Sequence, residues 1–446
     1  MPDLVIEGAY VATLDPGRRE FVGHVVVKGN QIVAVGPGRS SVVGAARVID
    51  GSGCLVTPGF VNTHQHLYQW VTRGLAVDAT LFGWLQTLYP VWSRITAESV
   101  HVAAQGALAQ LALTGCTTAA DHHYVFPRGG GDVLAATIAA AAEVGLRFHA
   151  TRGSMDRGQK DGGLPPDSVV EDRDEILAAT SSAIDRWHDP SAGSMLQIGV
   201  APCSPFSVSG ELMRESAVLA RRKGVRLHTH LAETTDETAW CLETHGCTPL
   251  EYAADLGWTG PDVWFAHGIH FDDAEIKQLG ATGTGIAHCP SSNARLGAGI
   301  ARTADLRAAG APVGLGVDGA ASNEAGSLVE ELRNALLLAR ARSGPQSLAV
   351  RASLEMATRG GAACLGRLDE IGSLEPGKLA DLAMWNLNTL QHSGIPDPVA
   401  ALVLSTPPPL ALLLVNGRPV VEQNTLLTLD QASLATQVAK TQRALL

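Results

Sequence analysis

The sequence contains no apolar run long enough to cross a membrane, and no basic, apolar, small-residue leader opens it. Basic residues are also scarce, with 33 Lys and Arg against 44 Asp and Glu and a formal net charge of −11. Because binding a polyanion needs a basic surface, this balance argues against a nucleic-acid partner. We therefore expect neither a membrane nor a nucleic acid as partner, and a cytoplasmic location.

A Cys-x-x-Cys pair is also missing from the seven cysteines, which are an odd number scattered along the chain. This pattern argues against a zinc ribbon and against a disulfide framework, so we expect buried thiols in a reducing compartment. Cys241, His245 and Cys247 lie close together in sequence. A further ligand would be needed there, so a polar helix end explains them better than a metal site.

Length and hydrophobic content permit a large core, since 46% of the 446 residues are hydrophobic. One large α/β barrel with a smaller domain fits this size. Short β-type runs separated by turns occupy both ends of the chain, and "VNGRPVV" predicts a hairpin around Asn416–Gly417. These flanking segments predict a small composite β-sandwich domain built from residues 1–57 and 370–446.

The middle of the chain, residues 58–369, alternates short apolar runs with Ala-, Leu- and Glu-rich stretches of helical character. Strands that alternate with helices in this way predict an α/β fold of the (β/α)₈ TIM-type barrel class. The runs that we assign to barrel strands are "GFVNTH", "CTTAADH", "LRFHATR", "LQIGVAP", "VRLHTH", "DVWFAH", "TGIAHCP" and "APVGLGVD".

Ionisable side chains follow the C-terminal ends of several of these runs. In a barrel these ends share one rim, where active sites are built. Imidazole and carboxylate ligands suit a divalent ion of the zinc or iron type. Any one of these residues alone would more often be a packed or surface residue, but their shared position predicts a catalytic metal site. The residues are His64, His66, His230, Glu233, His267, His288 and Asp318.

Other histidines have plainer explanations. His228 shares the face of His230 two residues deeper in the barrel, so we expect it to pack in the core or to support a ligand. His288 is either a pocket residue or a ligand. His122 and His123 end the second run, so one is expected to face the pocket and the other the outer layer.

Three motifs resemble those of the amidohydrolase superfamily. "TPGFVNTHQHL" is similar to its strand-one metal motif, "HTHLAE" to its strand-five His-x-x-Glu motif and "GLGVDGAASN" to its strand-eight Asp motif. The resemblance covers essentially the whole chain and implies the mononuclear branch, with its purine and cytosine deaminases and s-triazine hydrolases. Two-metal relatives use a carboxylated lysine on the fourth strand. None of the six lysines lies in "SMLQIGVAP", so one ion is expected.

The resemblance also implies roles for the catalytic residues. Glu233 would protonate a ring nitrogen of the substrate, Asp318 would take a proton from the attacking water, and His267 would orient that water. The expected cofactor is one divalent ion, Zn²⁺ or else Fe²⁺. Its implied ligands are His64, His66, His230 and Asp318.

Further stretches such as "LFGWLQTLYPVWSRIT" and "PCSPFSVS" resemble deaminases of amino-substituted oxopurines. They make 8-oxoguanine the expected substrate, converted to urate and ammonia. Guanine, isoxanthopterin or an s-triazine under the same chemistry, or halide loss from a triazine, are the alternatives. Because Glu233 and Asp318 are both present, amine loss is favoured over halide loss. A non-catalytic scaffold is disfavoured because the ligand set is complete.

Side chains near the rim are candidates for holding this small heterocycle. A carboxamide can bond a purine edge, an indole can cover its face, and a guanidinium suits a carbonyl oxygen. Core packing explains each aromatic residue equally well. The resemblance further implies a homodimer or higher homo-oligomer. The candidates are Gln69, Trp70, Trp84, Trp92, Arg152, Cys203 and His288, with Tyr89, Ser204 and Phe206 beside them.

Overall fold

The computed structural model describes residues 1–42 and 44–446. Its strands fall into two groups, a sheet drawn from both ends of the chain and a closed barrel from the middle. The strands before the barrel are β1 (Leu4–Ala12), β2 (Glu20–Lys28), β3 (Gln31–Pro37), β4 (Arg47–Asp50) and β5 (Cys54–Pro58). The barrel strands are β6 (Phe60–Asn62), β7 (Cys116–His123), β8 (Arg147–Ser154), β9 (Leu196–Pro202), β10 (Leu227–Leu231), β11 (Val263–His267), β12 (Gly285–His288) and β13 (Val313–Leu315). After the barrel come β14 (Leu382–Asn386), β15 (Leu410–Val415), β16 (Arg418–Glu422) and β17 (Thr425–Leu426).

Helices connect and surround the barrel strands. Along the described ranges, none of them is both long and apolar enough to cross a membrane. They are α1 (Leu81–Trp92), α2 (Ala97–Leu113), α3 (Val133–Val144), α4 (Arg173–Trp187), α5 (Gly210–Lys223), α6 (Thr235–His245), α7 (Pro249–Asp255), α8 (Asp273–Thr282), α9 (Pro290–Arg295), α10 (Thr303–Ala308), α11 (Leu328–Ser343), α12 (Val350–Glu355), α13 (Gly361–Cys364), α14 (Pro398–Leu404) and α15 (Gln431–Leu445). Short 3₁₀ turns lie at Leu67–Thr72 and Gln159–Asp161, and a π-helical turn at Met356–Gly360.

Local sequence sets the ends of the barrel helices. The Ser209 hydroxyl accepts the Leu212 N–H at the start of α5. The same helix ends at Gly224 with φ 68°, a left-handed conformation that glycine adopts without steric cost. Capping residues in the sequence therefore set where α5 begins and ends.

Strands β6 to β13 are parallel and close in chain order into a barrel, which confirms the expected (β/α)₈ class. Their register brings the C-terminal ends to one rim, because Leu231 pairs with His267 and His288 pairs with Leu315. Helices cover the outside, so a run such as β11 is buried on both faces. This rim is where the barrel presents its ionisable side chains.

The other sheet joins the two ends of the chain, as expected. Its strands follow the order β17-β16-β15-β14-β5-β1-β2-β3, with β4 paired to β1. The turn between β15 and β16 is the expected hairpin, and Asn416 and Gly417 both take positive φ, 52° and 75°. Two such residues define the hairpin turn that matches the twist of the flanking strands.

Buried contacts fasten this sheet to the barrel. The Arg147 guanidinium on β8 donates to the Asp381 carboxylate at 2.9 Å, and both side chains are buried. Trp385 on β14 stacks on Phe60 of β6 with ring centroids 5.3 Å apart.

We propose the division into residues 1–57 with 370–446 and residues 58–369, supported by Pro58 ending β5 just before the barrel begins. The C-terminal helix α15 lies against α2 of the barrel.

Candidate active site

The loop after β6 carries the first pair of histidines, and a hydrogen-bond relay fixes the His64 ring. His228 Nδ1 lies 2.8 Å from the Trp264 carbonyl oxygen, which can only accept, so this nitrogen carries the proton. His228 Nε2 must then accept from His64 Nδ1, 2.8 Å away. The proton on His64 is thereby assigned to Nδ1 and its Nε2 keeps a lone pair. His228 thus supports a candidate ligand from deeper in the barrel.

His66 and His230 are fixed in the same tautomer by backbone carbonyl groups. His66 Nδ1 lies 2.7 Å from the His122 carbonyl oxygen, and His230 Nδ1 lies 2.6 Å from that of Cys203. Both rings therefore keep the lone pair on Nε2, and these two Nε2 atoms lie 3.1 Å apart. Two lone pairs facing each other at this distance are stabilised by a shared cation.

Asp318 completes the set from the loop after β13. Its Oδ1 lies 3.3 Å from the Nε2 atoms of both His64 and His66. The Gly319 N–H donates to Oδ1 at 2.7 Å, and the Ser292 hydroxyl donates to Oδ2 at 2.6 Å. Burial alone would raise the pKa of Asp318, but the neighbouring rings of His64, His267 and His66 outweigh it and hold that pKa well below the ordinary value.

This cluster fits a zinc ion. In the part of the chain that the structure describes, His64 Nε2 is buried without a hydrogen-bond partner. Tetrahedral zinc with nitrogen ligands places neighbouring ligand atoms about 3.3 Å apart. The separations of 3.1 Å between two Nε2 atoms and 3.3 Å from Nε2 to Oδ1 agree with that value. The residues that would hold the ion are His64, His66, His230 and Asp318.

Glu233 and His267 face this cluster from the neighbouring strand ends. Glu233 Oε2 lies 3.6 Å from His267 Nε2, which lies 4.0 Å from Asp318 Oδ2. Burial raises the pKa of Glu233 to about 7, so its carboxyl group exchanges a proton readily near neutrality. His267 Nδ1 lies 2.9 Å from Asn293 Oδ1, which orients the ring. Burial lowers the pKa of His267, but the charges of Glu233 and Asp318 outweigh it and raise that pKa.

The backbone is strained where these loops begin. His267 and Asp318 have φ values of 73° and 62°, a region that residues with a Cβ rarely adopt. Ala232, immediately before Glu233, has φ 53°. Non-glycine residues in this region cluster at functional sites, where surrounding contacts hold them.

A cavity opens beside the cluster. Apolar and aromatic side chains form its walls, and hydroxyl groups and the ionisable groups above supply its polar surface. Such a mixture suits a flat heterocycle with a few polar edges. The lining residues are His66, Leu81, Trp84, Leu85, Tyr89, Tyr124, Cys203, Ser204, Phe206, His230, Glu233, His267, Leu296, Asp318 and Ser322.

Among the substrate-contact candidates, Trp84 and Cys203 line this cavity. Trp92 lies behind Trp84, with ring centroids 5.1 Å apart, and donates its indole N–H to Thr72. Trp70 packs against Gly106 of α2 because the 3₁₀ turn rotates it away from the rim. Both indoles are therefore packing residues at these positions.

The remaining candidates are also placed outside the lining. The Arg152 guanidinium pairs with Glu171 at 2.7 Å and stacks over the Phe126 ring at 3.7 Å, so its donors are already engaged. Gln69 and His288 are buried, and within the described residues the Gln69 amide and His288 Nδ1 have no hydrogen-bond partner. Gln69 lies against Gly319, beside Asp318 rather than in the cavity.

His122 and His123 lie in two different environments, and neither lines the cavity. The His122 ring stacks on that of His230 with centroids 4.7 Å apart, and its Nε2 lies 2.9 Å from the Ala201 carbonyl oxygen. His123 packs against Phe126, away from the cluster. His122 thus packs behind a candidate metal ligand.

Several lining residues were not singled out by the sequence. Leu81 and Leu85 lie one helical turn apart on α1, a spacing that also fits ordinary core packing. Tyr124 directly follows the second run, and Ser322 lies four residues beyond Asp318. Position near a strand end was the available signal for these two.

Comparisons with known proteins show the family of the chain. Residues 55–420 match the model of the Amidohydrolase family. The chain is 50% identical over 391 residues to 8-oxoguanine deaminase of Pseudomonas aeruginosa, covering 87% of each chain. It is 38% identical to hydroxydechloroatrazine ethylaminohydrolase of Pseudomonas sp., covering 87% of this chain and 82% of that one. A zinc complex of atrazine chlorohydrolase from Arthrobacter aurescens superposes with a TM-score of 0.94 at 33% identity, covering 98% and 100%.

Proposed function

The chain belongs to the amidohydrolase family, and from this premise we propose that it is a zinc-dependent aminohydrolase of an amino-substituted oxopurine, with 8-oxoguanine as substrate. The observation that carries the proposal is the buried Glu233 carboxyl group beside three histidines whose Nε2 lone pairs converge with Asp318. The balanced reaction adds water to 8-oxoguanine and yields urate and ammonia.

His64, His66, His230 and Asp318 would hold the ion in this proposal. When bound, zinc supplies a Lewis acid that lets water act as a nucleophile near neutral pH. The carbonyl groups and His228 that bond the histidine Nδ1 atoms keep the three Nε2 atoms directed at one point.

Proton transfers are assigned to the residues that face the cavity. Glu233 is placed to protonate the ring nitrogen next to the amine-bearing carbon, which makes that carbon electrophilic. Asp318 accepts a proton from the attacking water, and His267 holds the oxygen from the side of Glu233. Glu233 then takes the proton of the hydroxyl group added to the ring carbon and delivers it to the departing amine, and the proton held by Asp318 returns Glu233 to its acid form. A carboxyl group with a pKa of about 7 can serve in both directions.

The cavity walls support a planar ring as substrate. Leu81, Leu85 and Leu296 provide apolar contact, and the Trp84 indole N–H is bonded to the Ala321 carbonyl oxygen, which fixes that ring. Hydroxyl groups of Tyr89 and the neighbouring loop are candidates for the carbonyl edges of an oxopurine.

A second candidate is amine hydrolysis on an s-triazine. It is favoured by the 38% identity to hydroxydechloroatrazine ethylaminohydrolase and by the zinc-complexed atrazine chlorohydrolase fold. The two candidates share the proton-transfer residues and differ in the ring that the cavity accepts.

Steady-state kinetics on a substrate panel tests the proposal. The zinc-loaded protein is assayed for ammonia release from 8-oxoguanine, guanine, isoxanthopterin and an aminotriazine, with chloride release from a chlorotriazine measured in parallel. We expect the highest kcat/KM with 8-oxoguanine. Turnover of another ring with 8-oxoguanine inert would overturn the substrate assignment, and chloride release without ammonia would overturn deamination.

We also propose a cytoplasmic homodimer. All seven cysteines are free thiols, which fits a reducing compartment. An apolar groove between α4 and α5, with Val218 62% exposed, is a candidate contact surface on the barrel helices. Light scattering coupled to size-exclusion chromatography would give twice the chain mass of 46.5 kDa.

A further inference from the structure

A second buried carboxylate, Glu237, lies on the first turn of α6, four residues after Glu233. Its side chain is 1% exposed, and the mechanism above gives it no role. Its Oε1 accepts the Ala232 N–H at 3.0 Å, and its Oε2 accepts the Glu233 N–H at 2.9 Å. One carboxylate therefore bridges two consecutive peptide N–H groups, one of which belongs to the proposed proton donor.

Ordinary helix capping does not explain this arrangement. Glu237, Glu251 and Glu275 all occupy the third position of a helix that follows a capping Thr or Asp. In α7 and α8 the glutamate reaches back to the N–H of the capping residue, which completes a capping box. Glu237 instead reaches past Thr234 to the two residues before it.

The turn that Glu237 bridges is the strained one. Ala232 has φ 53°, a left-handed conformation that is unfavourable for a residue with a Cβ. The Ala232 carbonyl oxygen accepts the N–H groups of Ile269 and His270 at 2.9 and 3.1 Å. These bonds tie the turn that carries Glu233 to the turn that carries His267, and Glu237 holds the first turn from the other side.

We propose that Glu237 is a positioning residue that holds the Ala232–Glu233 turn, and so keeps the Glu233 carboxyl group facing His267 at 3.6 Å. The inference rests on the proposed function, since it assigns proton transfer to Glu233. Without the bridge, the left-handed turn loses the acceptor of two buried N–H groups and relaxes. Displacing a proton donor by about 1 Å costs on the order of 100-fold in rate.

The test compares Glu237→Gln with Glu275→Gln in the full-length, zinc-loaded protein. A glutamine at position 237 accepts one N–H and presents its own NH₂ to the other. We expect kcat to fall roughly 10- to 100-fold while KM changes by less than about 3-fold, because a misplaced donor affects the transition state more than substrate binding. Zinc content should stay at one ion per chain, and amide exchange in residues 231–234 should accelerate.

Glu275→Gln is the matched control, because Glu275 is also buried at the third position of a neighbouring barrel helix. It should leave kcat and the exchange of residues 231–234 unchanged. Glu237→Asp provides a second variant, since its shorter side chain cannot span both N–H groups; it should reproduce the loss of kcat.

An unchanged kcat in both Glu237 variants overturns the proposal, as does a loss of kcat that tracks a loss of zinc. Unchanged amide exchange in Glu237→Gln also overturns it, and this readout needs no substrate. If the wild-type protein turns over another ring and not 8-oxoguanine, the proposed substrate is wrong. The Glu237 variants are then compared on the ring that is turned over.

Discussion

At the scale of single residues, the chemistry of the site depends on which nitrogen of each histidine carries the proton. His66 and His230 take this assignment from backbone carbonyl groups, whereas His64 takes it from another side chain, His228. A side-chain partner can be removed by mutation without altering the backbone. His228 therefore offers the most direct way to disturb the cluster while leaving its ligands intact.

Replacing His228 with phenylalanine should weaken zinc binding roughly 10- to 100-fold, because the His64 Nδ1–H loses its acceptor and the ring loses its fixed tautomer. Competition with a chromophoric chelator would measure the change. His149→Phe is the control, since His149 is buried against the same Trp264 ring, 5.4 Å away, and in the described residues makes no hydrogen bond. Equal zinc affinities in the two variants would contradict the relay.

Residue positions were predictable from sequence where a strand end fixed them. His64, His230 and Asp318 follow apolar runs, and parallel strands bring such ends to one rim. Trp70 was not predictable, because the 3₁₀ turn at Leu67–Thr72 determines which way its side chain points. Alternation along a strand predicts the face to which each side chain points, but this rule no longer applies where the chain enters a turn.

At the scale of elements, the junction between α2 and β7 illustrates how closely the barrel and the sheet fit. Gly115 has φ 84°, and a Cβ at this residue would lie 2.2 Å from the Trp385 ring of β14. Glycine is required at this position because the backbone is left-handed and because the Trp385 ring leaves no space for a side chain.

Gly115→Ala should therefore lower the free energy of unfolding by roughly 3 kcal/mol, combining left-handed strain with overpacking. Gly224→Ala separates the two contributions, because Gly224 has φ 68° and, among the described residues, no neighbouring atom lies within 4 Å of the place that an alanine methyl group would occupy. That variant should lose only about 1 kcal/mol. Chemical denaturation measures both, and equal losses would contradict the packing contribution of Trp385.

Elements with strong local signals were predictable, and those set by packing were not. The hairpin at Asn416–Gly417 follows from a dipeptide that favours positive φ at both positions. Helix α15 packs on α2, and because the two helices are more than 300 residues apart in sequence, local periodicity cannot predict their contact. The Arg147–Asp381 pair between barrel and sheet is long-range in the same way.

At the scale of the whole molecule, buried carboxyl groups give the stability a dependence on pH. Glu331 on α11 is fully buried and accepts the Ser291 N–H at 3.1 Å and the Asn323 amide at 2.8 Å, which joins α9 and the loop after β13 to α11. Burial raises the pKa of Glu331 from 4.5 to about 8. The charge of neighbouring Glu330 also raises the pKa of Glu331.

Between pH 4.5 and about 8 the folded chain retains a proton on Glu331 that the unfolded chain has released. The free energy of unfolding should therefore fall as pH rises through this window, by up to about 1.4 kcal/mol per pH unit from this group. Chemical denaturation at several pH values between about 5 and 8 measures the slope, and comparison with Glu331→Gln cancels the contribution of the histidines that titrate in the same range. Glu331→Gln should flatten it, and an unchanged slope would contradict a neutral Glu331.

The central claim is that Glu233 transfers protons in a zinc-dependent deamination, and one paired measurement tests it most directly. Zinc content and ammonia release from 8-oxoguanine are determined together for the wild type and Glu233→Gln. We predict one zinc per chain in both proteins and a loss of ammonia release of at least about 100-fold in the variant, the magnitude of general acid–base catalysis. Near-normal ammonia release from zinc-loaded Glu233→Gln would contradict the account.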